Sequence, residues 1–247
     1  MQIPEYRYEE KFTPQLRHCD PWEQWRMDEV FAALGQTAQF HATSLGVGYE
    51  ELFEKNLAWV LTGTHLKMHA PVPAGQELTL ITWPGPVGKL FFARYYEIKN
   101  AQNECVGAGT SSWVLMDFAN RTVCRANVLG RQLEGGEPPQ GMSQLPKKIR
   151  LPSGMQKAMQ RSVRYSEIDN NLHMNNAHYV SWVLDMYAFD YHKEHRVEEI
   201  EIAFHKEAEA GRCLTIDTMQ QDGYDYINGY FEDTQCFSAK VRFGRRL

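Results

Sequence analysis

Hydrophobic and polar residues alternate along the chain at two spacings, in the order of one helix followed by several strands. From residue 28 to about 44, positions three and four residues apart define one helical face. That face carries Val30, Leu34, Ala38, His41 and Leu45. Four segments rich in β-branched and aromatic residues follow, separated by turns that contain Pro, Gly or Asn. We therefore expect strands at 57–68, 77–83, 90–99 and 105–118.

The second half of the chain repeats this order. It has a predicted helix from about 176 to 194 and predicted strands near 197–206, 213–219, 224–232 and 235–243. The segment 74–82 aligns with 210–218 at a constant offset of 136, and five of the nine positions are identical. Because the match falls at the same turn-to-strand step in both halves, it indicates an internal duplication.

The second predicted helix is apolar over most of its surface. Its polar residues form one narrow stripe, composed of His178, Ser181, Asp185 and His192. Such a helix must be buried on most sides, and a curved antiparallel sheet wrapped around a long helix satisfies that need. The sequence therefore predicts an α+β fold, a tandem (double) hot dog. The expected organisation is an N-terminal unit over 1–130, a linker over 131–160 that is flexible or extended around 134–141, and a C-terminal unit over 161–247.

Composition and charge narrow the function classes. Of 247 residues, 43% are hydrophobic, and 26 basic against 31 acidic residues give a net charge of −5, which argues against a general nucleic-acid or anionic-membrane binder. Five widely spaced cysteines without a C-x-x-C pair indicate neither a disulfide framework nor a zinc site. Neither a signal peptide nor a membrane-spanning run is recognisable, so we expect a cytoplasmic protein with no membrane insertion.

The candidate chemistry lies in the polar run 169–176, directly before the second predicted helix. Asn175 or Asn176 is expected to be the N-cap. Asp169, Asn171 and His173 then approach a helix N-terminus, where backbone N–H groups favour negative charge and could stabilise an oxyanion. On composition alone, a polar turn with a well-placed cap remains the competing interpretation. Glu207, at the end of a predicted strand, favours a catalytic loop, because its carboxylate could meet His173 if that strand packs along the helix.

These motifs support a resemblance to a known family. The run 169–176 followed by Tyr179 and Trp182 resembles the D-x-N-x-H-x-N-N segment of the fatty acyl-[acyl carrier protein] thioesterases, of the bacterial kind related to the plant plastid enzymes. Thr82-Trp83 and the segment 112–117, with Arg121 shortly after, resemble the strand motifs of its first half. The resemblance extends over most of the chain.

The resemblance implies a catalytic set composed of Asp169, Asn171, His173 and Glu207. Many plant members have a cysteine directly after the glutamate, whereas this chain has Ala208. We therefore expect hydrolysis by a water that Glu207 and His173 activate, with Asn171 orienting water or substrate and Asp169 fixing the loop and the imidazole tautomer. Neither a cofactor nor a metal is implied.

The first repeat lacks a matching site, because Pro71 occupies the position offset from Glu207 and no Asn-x-His precedes its helix. We expect one site per chain, with the N-terminal unit binding the acyl chain. The implied partner is an acidic acyl carrier protein with a phosphopantetheine-linked acyl group, which basic residues should steer. The candidate substrate- and partner-binding residues are Asn175, Asn176, Arg161, Arg164, Lys147, Lys148 and Arg150.

Several alternatives stay open at this point. A metal site would use His65 with His69, or His192 with His195, but no further ligands at diagnostic spacing accompany them. Cys213 or Cys236 could act as a nucleophile, although a cysteine in a strand usually behaves as a small buried hydrophobe. The rival functions are a hot dog acyl-CoA thioesterase, a hydratase or dehydratase, and a non-catalytic acyl-binding protein. A homodimer is also left open.

Overall fold

The computed structural model describes residues 6–130, 133 and 135–246. Contacts within the chain divide it into two units. Unit 1 comprises the described residues of Met1–Arg26 and Ala32–Pro146, and unit 2 comprises Met27–Phe31 and the described residues of Lys147–Leu247. Arg131, Gln132 and Glu134 of the predicted linker lie outside the described residues. Among the described helices, none is long and apolar enough to cross a membrane.

Unit 1 contains an antiparallel sheet in the order β1-β3-β4-β5-β2, with β6 paired to β5. The strands are β1 (Tyr8–Phe12), β2 (Leu57–Met68), β3 (Leu78–Val87), β4 (Phe91–Asn100), β5 (Cys105–Asp117) and β6 (Thr122–Cys124). The helices are α1 (Met27–Ser44), whose first five residues belong to unit 2, and α2 (Tyr49–Phe53). The expected helix and the four expected strands of the first half are all present.

Each face of this sheet packs against a different part of the chain. On one face Ala42 of α1 joins a cluster of apolar residues that includes Leu57, Phe92 and Leu115. On the other face the segment 135–137 lies against Trp83, whose Nε1–H donates to the Glu137 carbonyl at 3.0 Å. A Cβ on Gly135 would stand 2.7 Å from the Pro84 carbonyl oxygen. This part of the predicted linker is therefore extended and docked, and only glycine fits there.

Unit 2 contains an antiparallel sheet in the order β8-β11-β10-β9-β7. The strands are β7 (Gln156–Ser162), β8 (His195–Phe204), β9 (Cys213–Gln221), β10 (Tyr224–Phe231) and β11 (Thr234–Arg245), and the helices are α3 (Asn176–Leu184) and α4 (Phe189–Glu194). Buried Tyr179 of α3 packs edge-on against Phe204 and Phe237 of the sheet. Helix against curved antiparallel sheet thus recurs in both units, as the hot dog prediction requires.

The prediction of one continuous helix over 176–194 was wrong. Helix α3 ends at Leu184, and α4 starts only at Phe189. The break allows Tyr187 to turn toward the sheet, where its hydroxyl donates to Asp225 at 2.8 Å and its ring packs 4.5 Å from that of Phe243. Only α3 has the burial that was expected of the whole helix, because α4 has no buried residue.

Candidate active site

The polar run forms a tight loop, and Asp169 closes it. The Asp169 N–H donates to the His173 carbonyl at 2.9 Å, and the Asp169 carboxylate accepts from the Asn171 N–H at 2.8 Å. Leu172 occupies the left-handed region at φ 64° and is 75% exposed. A short polar side chain that bonds to the backbone two residues on favours such a turn. The carboxylate of Asp169 therefore shapes the loop backbone.

The loop is attached to the chain just beyond β8. The Met174 N–H donates to the Ala208 carbonyl at 2.9 Å, and an isolated antiparallel bridge joins His173 to Glu209. This pairing brings the side chains of His173 and Glu207 together, with 3.4 Å between Nε2 and Oε2. Both side chains are partly exposed, at 24% and 36%, so water can reach the pair.

Asn175 is the N-cap of α3, one of the two expected positions. Its side-chain oxygen accepts from the Ala177 N–H at 2.9 Å, and its own N–H donates to the Glu167 carbonyl at 2.8 Å. The His178 N–H bonds to the Asn175 carbonyl, whereas the Asn176 N–H has no acceptor among the described residues. Asn171 takes part in the loop through its backbone N–H, which donates to the Asp169 carboxylate. Its side chain is exposed.

Tyr179 is a residue of this site to which the sequence reasoning assigned no role. Its side chain is 3% exposed, and its hydroxyl accepts from the Ala208 N–H at 3.3 Å. Burial, first of all, and the charges of Cys236, Glu207 and Asp169 raise the pKa of Tyr179, so the phenol stays protonated. The hydroxyl thus ties α3 to the residue directly after Glu207. In the sequence, Tyr179 was marked only as part of the motif that follows the polar run 169–176.

Arg161 is held in a structural network. Its guanidinium contacts Glu167 at 2.9 Å and Asp185 at 2.6 Å, and it lies 4.8 Å from the Trp182 ring centroid. Burial alone would raise the pKa of Glu167, but bonds from Trp182 Nε1, the Arg164 N–H and Arg161 outweigh it, and the pKa falls below its usual range. The Arg161 charge is therefore already paired with two carboxylates, while the Arg164 side chain is exposed.

The other basic candidates lie on the segment before β7. Lys147, Lys148 and Arg150 are exposed, and the Lys147 N–H donates to the Glu201 carboxylate. Burial, together with the charge of Lys148, lowers the pKa of His205. One further basic residue, Arg212, contacts Glu209 at 3.2 Å and lines an open depression of about 450 Å³ with residues 210, 211, 213, 231 and 232.

The Cys236 thiol is buried, whereas Cys213, the other candidate nucleophile, is exposed at the start of β9. Cys236 is 1% exposed, and burial, partly offset by Arg212 and Lys206, raises the pKa of its thiol to about 11. A buried neutral thiol is a poor nucleophile. In the ranges that the structure describes, no three His, Cys, Asp or Glu side chains cluster as a metal site requires.

Unit 1 contains the same loop backbone with different side chains. The Asp20 N–H donates to the Gln24 carbonyl at 2.8 Å, and the Asp20 carboxylate accepts from the Trp22 N–H at 3.0 Å. Glu23 is left-handed at φ 60°, and the Trp25 N–H donates to the Val72 carbonyl at 2.8 Å. The two loops align at an offset of 149 residues, which pairs Trp22 with Asn171 and Gln24 with His173. The segment after the strand aligns at the offset of 136 residues found above, which pairs Pro71 with Glu207.

Comparisons with known proteins agree with this architecture. The family description "Acyl-ACP thioesterase N-terminal domain" matches residues 5–128, and "Acyl-ACP thioesterase C-terminal domain" matches residues 152–238. The palmitoyl-acyl carrier protein thioesterase of Gossypium hirsutum is 25% identical over 190 residues, which are 70% of this chain and 45% of that protein. The chain spans about half the length of the curated relatives it matches.

Two solved structures share the fold along the whole chain. The acyl-ACP thioesterase from Bacteroides thetaiotaomicron aligns with a TM-score of 0.90 at 22% identity, over 99% of this chain and 100% of the other. The 12:0-ACP thioesterase from Umbellularia californica aligns with a TM-score of 0.83 at 18% identity, over 100% of both chains. The predicted tandem hot dog, an α+β fold, is confirmed.

Proposed function

The chain belongs to the acyl-ACP thioesterase family, and from this premise we propose that it hydrolyses the thioester of fatty acyl-acyl carrier protein and releases a free fatty acid. The observation that carries the proposal is the contact of His173 with Glu207, 3.4 Å apart and open to water. A base and an orienting carboxylate within reach of one water are what direct hydrolysis requires.

The reaction proceeds by attack of water on the thioester carbonyl. Glu207 and His173 hold the water and take its proton as the new C–O bond forms. The carbonyl oxygen becomes an oxyanion, which the Asn176 N–H is placed to stabilise because it lacks an acceptor among the described residues and lies at a helix N-terminus. The carbon–sulfur bond then breaks, and the imidazolium returns the proton to the leaving thiolate.

The loop residues have separate supporting roles in this proposal. Asp169 sets the backbone turn that presents His173. Asn171, with its amide exposed at the loop tip, orients the water or the thioester. Asn175 caps the helix whose N-terminus receives the oxyanion. No acyl-enzyme is needed, since Ala208 stands directly after Glu207 and Cys236 is buried.

We assign the substrate's two parts to different surfaces. The acyl chain belongs to unit 1, which lacks the histidine and the glutamate of the catalytic pair. The acidic acyl carrier protein, with its phosphopantetheine arm, is steered by exposed basic residues of unit 2. Four of the five original candidates remain for that role, Lys147, Lys148, Arg150 and Arg164, because Arg161 is engaged with Glu167 and Asp185.

The direct test is incubation with acyl carrier proteins and acyl-CoAs of varied chain length, with free thiol and free fatty acid both measured. We expect stoichiometric release of both products, faster from the carrier protein than from CoA. Faster turnover of acyl-CoA would assign the chain to acyl-CoA hydrolysis. Modification of the acyl chain without thiol release would identify a hydratase, and binding without turnover would identify an acyl-binding protein.

A further inference from the structure

The two most exposed large apolar side chains of the described residues lie close together in sequence, ahead of α3. Tyr165, in a 3₁₀ turn that ends at Glu167, is 95% exposed, and Leu172, in the loop that Asp169 closes, is 75% exposed. Apolar side chains scattered singly over a surface are ordinary. Two such residues on the short segment that presents His173 call for a physical reason.

Leu172 also has an unusual backbone conformation for a leucine. Its φ of 64° lies in the left-handed region, where a Cβ is crowded by the following carbonyl oxygen. Asparagine and aspartate offset this cost by bonding to the local backbone, which a leucine side chain cannot do. Every other non-glycine residue with positive φ in the described ranges is polar, namely Glu23, Asn56, Asn103, Arg121, Asp222 and Glu232. Neither the turn nor burial therefore accounts for a leucine at this position.

The equivalent loop of unit 1 shows that the turn does not require leucine. At the offset of 149 residues, Leu172 corresponds to Glu23, whose φ is 60°. That loop closes with the same backbone bonds around Asp20 and has a charged residue at this position. The apolar surface of Leu172 is therefore available for a contact outside the chain, beside the catalytic pair.

We propose that Leu172 and Tyr165 are apolar docking residues for the acyl carrier protein itself, with Arg164 beside them as the partner for its acidic groups. Small molecules bind in concave sites, whereas a side chain that protrudes into solvent is buried by the surface of another protein. Leucine, tyrosine and an exposed arginine supply the apolar contact and the charge that such an interface uses. The inference rests on the proposed function, whose substrate is the acylated carrier protein. Docking on the loop that contains His173 delivers the thioester to the catalytic pair.

Titration of the full chain with fluorescently labelled holo-acyl carrier protein, followed by anisotropy, tests the docking residues without any turnover. Leu172→Asn and Tyr165→Ser should each weaken binding about ten-fold, as expected for the loss of one apolar contact at the centre of an interface. Leu172→Asn should unfold at the wild-type temperature or above it, because asparagine tolerates the left-handed region, so a damaged fold cannot explain the lost affinity.

The equivalent positions of unit 1 supply matched controls. Glu23→Asn places the same residue in the same left-handed turn, and Leu16→Ser removes a side chain that is 66% exposed and corresponds to Tyr165. Both control variants should bind the carrier protein as the wild type does. A loss in the controls equal to that in Leu172→Asn and Tyr165→Ser would overturn the proposal.

Hydrolysis rates then separate contact with the protein from contact with its prosthetic arm. Acyl-CoA carries the same phosphopantetheine arm without the carrier protein, so Leu172→Asn should lower kcat/KM about ten-fold for acyl-ACP and by less than about two-fold for acyl-CoA. Equal losses on the two substrates would assign Leu172 to the arm or to the chemistry and would overturn the proposal. So would failure of the wild type to bind the carrier protein, or wild-type binding by both Leu172→Asn and Tyr165→Ser. If the wild type hydrolyses neither substrate and these variants still lose affinity for the carrier protein, the docking residues stand and the proposed hydrolysis fails.

Discussion

At the scale of single residues, the site depends on one long-range encounter. His173 and Glu207 are 34 positions apart in sequence, and two backbone contacts beside them, at Ala208 and Glu209, bring them within 3.4 Å. Each side chain is partly exposed, so neither is required to fill a core. Their removal should therefore affect chemistry far more than stability.

Glu207→Gln and His173→Ala are each expected to lower kcat by about 10²–10⁴, since each removes part of the general base. Steady-state hydrolysis of an acyl-ACP substrate measures the effect, and thermal unfolding verifies the fold. Glu209→Gln is the matched control, because this neighbouring carboxylate is exposed and contacts Arg212 only at the surface. A comparable loss in Glu209→Gln would show that the carboxylates act through general charge, and Glu207 would lose its assigned role.

Tyr179→Phe is expected to lower kcat by about ten-fold with little change in KM, because the lost hydroxyl loosens the backbone at Ala208 and hence the position of Glu207. Tyr187→Phe is the control, since it also removes a hydrogen-bonded tyrosine hydroxyl of unit 2, one that is partly buried and donates to Asp225. Thermal unfolding and the pH profile of kcat are measured for both. If both variants lose stability and activity in parallel, Tyr179 is a packing residue and positions nothing.

At the scale of elements, the sequence pattern predicts the apolar strands and misses two polar ones, β1 and β7. Strands β2 to β5 and β8 to β11 are rich in apolar residues, because they supply most of the buried side chains of the two sheets. Strands β1 and β7 end their sheets and are largely polar, with sequences YEEKF and QKAMQRS, so no alternation of apolar residues marks them. Charged residues on an edge strand also discourage further pairing. The break after Leu184 was missed for a different reason, since the aromatic residues of 187–191 fit a helical face and a sheet contact equally well.

In the site, too, the features set by residues close in sequence were predicted, and those set by contacts between distant elements were not. The loop and the Asn175 cap follow from neighbours in sequence, so the polar run predicts them. The network of Arg161, Glu167 and Trp182 was missed, because it joins a strand, a short 3₁₀ turn and a helix through side chains. From the sequence alone, Arg161 is a positive charge close to the polar run, and only the fold shows that Glu167 and Asp185 already neutralise this charge.

Arg161→Ala is accordingly expected to lower the free energy of unfolding by about 1–3 kcal/mol, since Glu167, buried beside Trp182, loses its cation. Arg164→Ala removes an exposed side chain and should change stability by less than about 0.5 kcal/mol. Urea denaturation of both variants measures the difference. An unchanged stability of Arg161→Ala, combined with weaker use of acyl carrier protein, would return Arg161 to the docking surface.

At the scale of the whole molecule, charge is distributed unevenly around a net value of −5. The exposed cluster of Lys147, Lys148 and Arg150 lies within four residues of sequence, close to the start of unit 2. Such a cluster can steer an acidic partner even when the molecule as a whole is acidic, because screening limits long-range repulsion to about 10 Å at 0.1 M salt.

Reversing Lys147, Lys148 and Arg150 to Glu is expected to lower kcat/KM for acyl-ACP by about ten-fold at low ionic strength, with the difference shrinking as salt is added. Hydrolysis of a small soluble thioester should not change. The control reverses the exposed Lys11, Lys55 and Lys89 of unit 1 to Glu, which changes the net charge by the same amount. Equal losses in the two triple variants would attribute the effect to net charge and would end the docking assignment.

The loop that Asp169 closes is the same in its backbone as the loop that Asp20 closes. Its shape comes from one aspartate and the bonds within the loop, whereas the reactive groups occupy three other positions, Asn171, His173 and Glu207. The backbone of the loop and the side chains that react can therefore change independently of each other. In the counterpart loop of unit 1, Trp22→Asn, Gln24→His and Pro71→Glu would introduce the same side chains at the corresponding positions, so that one half of the chain can acquire or lose a site by point mutation while its loop stays folded.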